Sequence, residues 1–141
     1  MLVRLLYASR AVDEKTCDTV QLIMQQSRLH NPANGITGVL CHTDLVFMQV
    51  LEGGREAVNT LYGHILRDPR HKDVMLLDYE EITERRYAGW TMGQANMSKI
   101  NPSILLKYSP LPVLDPHGMS GKMLLSLIDE LMATASIVGR T

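Results

Sequence analysis

Gln49 is the residue most at odds with its surroundings. From Leu45 to Leu51, LVFMQVL, every other residue is apolar. A side-chain amide in such a strand brings two donors and an acceptor that need partners. Either backbone or water satisfies it, or it faces a polar ligand sunk into the core. Other polar groups sit on apolar elements in a similar way. Tyr7 lies near the end of the first apolar run, where it reads either as a core tyrosine with its hydroxyl at the rim or as a group facing that ligand. Ser27 and Asn31 are one turn apart at the end of the first helical stretch, and Asn31 would also serve as a helix C-cap. Asp68-Pro69-Arg70-His71 reads as a loop of solvated charge. Trp90 and Met92, two apart, are expected to share a face of a last strand. All of these fall on strand faces or helix ends that can converge on one cleft between two helices.

Conventional catalytic patterns are missing. The five histidines, at 30, 42, 64, 71 and 117, form no HExxH pair, and no Cys/His spacing fits zinc. Glu80 and Glu81 are adjacent, so in a strand they point to opposite faces and make a poor acid–base pair. Gly53-Gly54 lacks the further glycine or lysine of a phosphate loop, and no GxSxG occurs. No metal site is expected, and an enzyme built on these motifs is disfavoured.

The elements that position these residues follow from periodicity. Met1 to Ser9 suits a first strand, with Val3, Leu5, Tyr7 and Ser9 on one face. Asp13 and Glu14 open a helical pattern, with Val20, Ile23, Met24 and Ser27 on one side. It is expected to stop near His30-Asn31-Pro32, because the residue before a proline avoids the helical region. Asn34-Gly35 is a turn signal. Gly35 to Gly53 reads as two strands joined at His42-Thr43-Asp44. The second strand puts Phe47, Gln49 and Leu51 on one face and Val46, Met48 and Val50 on the other. Val58, Leu61, Tyr62, Ile65 and Leu66 mark an amphipathic helix from Arg55 to Arg67, ended by Asp68-Pro69. Strands are expected at Lys72–Glu80 and Tyr87–Ala95, separated by a charged turn. Asn101 to Pro116 carries four prolines and reads as a connector with a short helix at Ser103–Lys107. Ser120 to Val138 is expected to be a final helix, with Leu124, Leu127, Ile128, Leu131, Met132 and Ala135 on one face.

The fold class is therefore α+β: a ferredoxin-like β-α-β-β-α-β-β order, giving a mixed five-stranded sheet with two helices on one face, plus C-terminal helices. The sheet's other face is left for the last helix to cover, unless that helix dimerises. The chain has 141 residues, 45% hydrophobic and 21% charged, which suits one domain with a sizeable core. A net charge of -1 without a basic run gives no support to nucleic-acid binding. Two cysteines, Cys17 and Cys41, make neither a disulfide framework nor a CxxC pair. No apolar run reaches the ~20 residues of a membrane span, and the N-terminus has no signal-peptide pattern. A cytoplasmic location is the expectation.

Five segments in register, LVRLLYASR, SRLHNPANGITGVL, FMQVLEG, RDPRHKDV and RRYAGWTMG, resemble the BLUF domains, blue-light sensors that use FAD. The resemblance spans roughly residues 1 to 95. It implies a BLUF flavin-binding domain over residues 1–97 and a C-terminal helical extension over 98–141. Residue by residue, it implies a photoactive Tyr7, a switching Gln49, and Asn31 as the group that hydrogen-bonds the flavin ring. Ile23, Ser27 and the variable position His30 would face the flavin from the first helix. Asp68, Arg70 and His71 would approach it from the loop after the second helix. Trp90 and Met92 would relay the signal. The expected cofactor is FAD, with FMN as the alternative. The expected output is a separate effector protein or self-association as a homo-oligomer, with no nucleic acid, no membrane and no catalysis of its own. Cys17 and Cys41 are not placed for a cysteine-adduct photoreceptor. The rival readings are a ferredoxin-like regulatory module that binds a small molecule and a flavin-dependent enzyme.

Overall fold

The computed structural model describes residues 1–12, 16–134 and 136–139, with no account of the side chains at 16 and 17. Asp13, Glu14 and Ala135, singled out above, lie outside the described residues. The elements are β1 (Leu2–Ala11), α1 (Thr16–Asn34), β2 (Thr37–His42), β3 (Val46–Gly54), α2 (Arg55–Arg67), β4 (His71–Ile82) and β5 (Gly93–Asn96). A 3-10 turn at Met97–Lys99, a short α3 (Pro102–Leu106), a second 3-10 turn at Pro116–Gly118 and α4 (Gly121–Ala133) complete the chain. The five strands form one mixed sheet in the order β4-β1-β3-β2-β5. Only the β2–β5 pair is parallel.

Alternation along β1 and β3 divides the core in two. Val3, Leu5, Tyr7, Phe47 and Leu51 pack beneath α1 and α2, with Val20, Met24 and Val58. Leu6, Met48 and Val50 face the other way, onto Leu124, Leu127, Ile128 and Leu131 of α4. The last helix thus covers the face that the first two leave bare. Each of those four α4 side chains is fully buried, contributing about 1.5–3 kcal/mol as an upper figure. Gly121 lets the start of α4 come against β4, since a Cβ there would lie 2.5 Å from the Leu77 carbonyl oxygen.

Three boundaries differ from expectation. Helix α1 runs through Pro32 to Asn34. Gly35, at φ 65°, ends it: its N–H donates to the Pro32 carbonyl (3.4 Å) and that of Ile36 to the Asn31 carbonyl (3.0 Å). Those two bonds are a Schellman cap, so Asn31 is not the C-cap. Strand β5 is confined to Gly93–Asn96, because residues 86–92 spend their backbone groups on other elements. The Arg86 and Tyr87 N–H groups donate to Glu52, and the Trp90 carbonyl accepts from Gly38. Trp90 and Met92 therefore do not share a face: Trp90 packs on the α4 side and Met92 on the α1–α2 side. Lastly, α4 stops at Ala133, and Val138 pairs with Gln94 instead of continuing it.

Candidate functional site

A cavity of about 1000 Å³ opens between α1 and α2 above the sheet. Helical spacing along α1 turns Thr19, Ile23, Ser27, His30, Asn31 and Asn34 toward it. Ala57, Leu61 and Ile65, each one turn from the next, line it from α2, and Tyr7, Leu40, Phe47 and Gln49 form its floor. Asp68, Arg70 and His71 close one end. All nine side chains assigned to the pocket by resemblance, from Tyr7 to His71, border this one space.

Tyr7 and Gln49 are direct partners in the β1–β3 register. The Tyr7 hydroxyl donates to Gln49 Oε1 at 2.5 Å. The amide's Nε2 donates to Met92 Sδ at 3.3 Å, a weak acceptor. Gln49 and Tyr7 are each 4% exposed and Met92 1%, so water does not compete for these bonds. Burial, with the neighbouring Tyr62 and Asp68, holds the Tyr7 phenol well above its ordinary pKa, and Arg70 opposes this only partly. Tyr7 is a protonated donor at any ordinary pH. The Tyr62 ring sits against it, with centroids 5.7 Å apart.

The other candidates differ in what they have left to offer. Asn31, also buried, donates through Nδ2 to the Thr91 carbonyl at 3.2 Å, which leaves the rest of its amide available. Asp68 accepts from Arg70 through both its carboxylate oxygens. That hydrogen bond, opposed by desolvation, holds its carboxyl below the usual carboxylate range. Arg70 reaches Gln26 as well (3.2 Å). His71 Nε2–H donates to the Ile65 carbonyl at 2.6 Å, and Nδ1 lies 2.7 Å from the Ser9 hydroxyl. With both ring nitrogens engaged, His71 shapes the cavity end rather than offering a hydrogen bond into it.

Sequence reading missed Gln26, Ser9 and the Thr91 carbonyl, whose roles appear only once distant segments meet. Phe47 and Leu61 could have been found, since they share strand parity with Gln49 and the apolar stripe of α2. Cys41 lies on the sheet face turned away from the cavity, and burial pushes its thiol up to about 12. It is no nucleophile toward a ligand here. Among the described residues no cluster of His, Cys, Asp and Glu could hold a metal ion, and no helix is long and apolar enough to cross a membrane.

The donor set fits a flavin. Apolar walls from Ile23, Ile36, Leu40, Phe47, Leu61 and Ile65 suit the faces of a flat ring, and the amides of Asn31 and Gln49 suit its polar edge.

Comparison with known proteins agrees. The sequence model of BLUF, "Sensors of blue-light using FAD", matches residues 2–93. The chain is 37% identical over 95 residues to photoactivated adenylate cyclase subunit beta of Euglena gracilis; that match covers 67% of this chain but 11% of the relative. Among solved structures, the photo-activated state of BlsA superposes with a TM-score of 0.85 at 29% identity, covering 100% of this chain and 99% of that one. The dark state of BlrB, a BLUF protein, gives 0.75 at 33% identity, covering 95% and 96%. A sheet with two helices over a flavin-sized cavity, a Tyr–Gln pair at its floor and a family match across residues 2–93 lead to one assignment: the chain belongs to the BLUF family of flavin-using blue-light sensors.

Proposed function

We propose that this chain is a blue-light photoreceptor that holds FAD non-covalently between α1 and α2 and reports light through Tyr7 and Gln49. The observation that carries this reading is the 2.5 Å bond from the Tyr7 hydroxyl to Gln49 Oε1 on the cavity floor. When bound, an excited flavin supplies a strong oxidant beside a phenol. Tyr7, kept protonated by burial, has both an electron and a proton to give, and Gln49 Oε1 is within reach of that proton. Gln49 has two arrangements. In the observed one its oxygen accepts from Tyr7 and its nitrogen donates to Met92. Reversed, it presents its nitrogen to Tyr7 and gives up its bond to Met92; as the imidic tautomer, its oxygen becomes a donor toward Tyr7 while its nitrogen keeps a single N–H. Because a thioether is a weak acceptor, the two arrangements differ by little, which suits a bistable element that reverts in the dark.

In this reading Ile23, Ser27, His30, Asn31, Asp68, Arg70 and His71 hold or frame the flavin, Asn31 through its remaining amide capacity. FAD is preferred over FMN on the family's description and on the lining of the cavity, which includes both Gln49 on the floor and Arg55 at the start of α2. Residues 1–97 form the flavin-binding unit and 98–141 the extension that receives the signal through Met92 or Trp90. The chain has no catalysis of its own, works in the cytoplasm, and acts on a separate effector or through self-association. The cyclase relative's name ties light to a cyclase activity in that protein. The test is an absorption spectrum of the FAD-loaded chain before and after blue light. A red-shifted flavin band that recovers in the dark is expected, because the altered Gln49 pattern changes the hydrogen bonds at the polar edge of the ring. A colourless protein after expression with ample flavin sinks the reading.

A further inference from the structure

Among the described residues Tyr7 has two ring neighbours. The Tyr62 ring is tilted 45° to it with centroids 5.7 Å apart, and the His71 ring meets it edge-on at 6.3 Å. Both distances are those of rings in contact. His71 has both ring nitrogens engaged, and an imidazole gives up an electron less readily than a phenol. Trp90 and Tyr87, both easily oxidised, pack on the α4 side of the sheet. Tyr62 is therefore the oxidisable ring in contact with Tyr7. Its position follows from the apolar stripe of α2, where Val58, one turn earlier, is fully buried against the same core.

The two phenols differ in where their protons can go. Tyr7 is sealed in the core and donates to Gln49 Oε1. Tyr62 is half-buried, and among the described residues its hydroxyl has no hydrogen-bond partner, so solvent reaches it. Partial burial raises its phenol above the ordinary pKa, so both side chains start protonated. A phenol that has lost an electron is strongly acidic. At Tyr7 the proton goes to a side chain that can hand it back. At Tyr62 it is lost to water.

We propose that Tyr62 is a second redox-active phenol, an outlet that refills Tyr7 and discards the oxidising equivalent at the surface. This rests on the photoreceptor reading and extends it to a competing fate of the same event. Tyr7 first gives its electron to the excited flavin and its proton to Gln49. On the productive route Tyr7 recovers its electron from the cofactor and a proton from Gln49, whose amide is left rearranged. On the outlet route Tyr62 passes one electron to the oxidised Tyr7, which recovers its proton from Gln49, and Tyr62 releases its own proton to water. Tyr7 and Gln49 are then as they began. The Tyr62 oxygen carries the unpaired electron, and the electron that left Tyr7 stays with the cofactor until a dissolved one-electron acceptor such as dioxygen takes it up. The O–H bond broken overall is that of Tyr62, and one absorbed photon has passed without a switch.

The test pairs two measurements on the flavin-loaded full chain. The first is electron paramagnetic resonance after blue light and rapid freezing with ferricyanide, which removes the electron from the cofactor and is too weak to oxidise a phenol in the dark. The second is the reversible red shift per absorbed photon without ferricyanide. The wild type is expected to give a tyrosyl signal when lit and none in the dark. Tyr62→Phe keeps the ring and should lose that signal while its shift per photon rises. Tyr62→Trp restores an oxidisable ring; it should give an indolyl signal instead and bring the shift per photon back toward the wild-type value, as a packing defect would not. Tyr7→Phe should also lose the signal, because the outlet is fed through Tyr7. A tyrosyl signal of wild-type size in Tyr62→Phe or Tyr7→Phe overturns the proposal. So does an unchanged shift per photon in Tyr62→Phe, or a wild type that shifts and gives no radical. A wild type that binds flavin and shows no shift contradicts the photoreceptor reading instead.

Discussion

One strand pairing makes two very different sites. The antiparallel register of β1 and β3 sets Tyr7 opposite Gln49 and, three residues away, Arg4 opposite Glu52. Odd spacing sends the two pairs to opposite faces of the sheet. On the α1–α2 face the pair borders a cavity, and Gln49 is held by one short bond and one weak one. On the α4 face the pair is sealed in a packed core, and Glu52 accepts from Arg4 and two backbone N–H groups, while Arg4 also reaches Glu80 (2.8 Å). The first pair has capacity left over and room to rearrange. The second has neither. The difference shows how a sheet can hold a switch and an anchor within three residues: looseness of hydrogen bonding, not polarity, distinguishes them.

The contrast can be broken experimentally. Tyr7→Phe removes the donor to Gln49 and should abolish the reversible light-induced shift with flavin still bound. Its effect on stability, by denaturant titration, should be about 1–3 kcal/mol, the cost of leaving the buried Gln49 oxygen without its donor. Glu52→Ala should do the converse: it takes the fully buried carboxylate from the buried Arg4 guanidinium, which keeps Glu80, and removes the acceptor of the buried Tyr87 N–H and the part-buried Arg86 N–H, and should lower unfolding stability by about 3–5 kcal/mol. Equal stability losses in the two variants would erase the distinction between switch and anchor. The smallest effect concerns the cavity rim. The hydrogen bond from Arg70 lowers the folded-state pKa of Asp68 below its ordinary value. Its contribution to stability is therefore present above the unfolded carboxylate pKa and is lost as pH falls through the folded one. Acid titration of Asp68→Asn beside the wild type should show a shallower loss of stability below the normal carboxylate range. Parallel curves would mean the Asp68–Arg70 pair adds nothing to the fold.

Much of this was legible in the chain. Alternation in LVFMQVL places Gln49 on the face of Phe47 and Leu51, and the stripe on α2 sets the opposite wall. The order of elements leads to the mixed sheet, and the apolar face of the last helix to the cover on its far side. The register between β1 and β3 was not read, although a sign of it was present. Any antiparallel pairing of Tyr7 with Gln49 must also pair Arg4 with Glu52, opposite charges in two apolar strands. The β4–β5 connector was misread as strand because YAGWTM alternates, while its backbone is claimed by Glu52 and Gly38, which no local pattern reveals. The end of α1 was placed too early because Pro32 was weighed above Gly35. A proline in the last turn loses one helical bond, whereas the glycine at positive φ supplies the cap.

The most direct test of the central claim is the light-minus-dark absorption difference of the FAD-loaded chain beside its Gln49→Leu variant. Leucine keeps the volume and removes the amide. The wild type should show a red-shifted flavin band that decays in the dark, and the variant should bind flavin and show none. A full reversible shift in Gln49→Leu would contradict the account and move the switch elsewhere in the cavity.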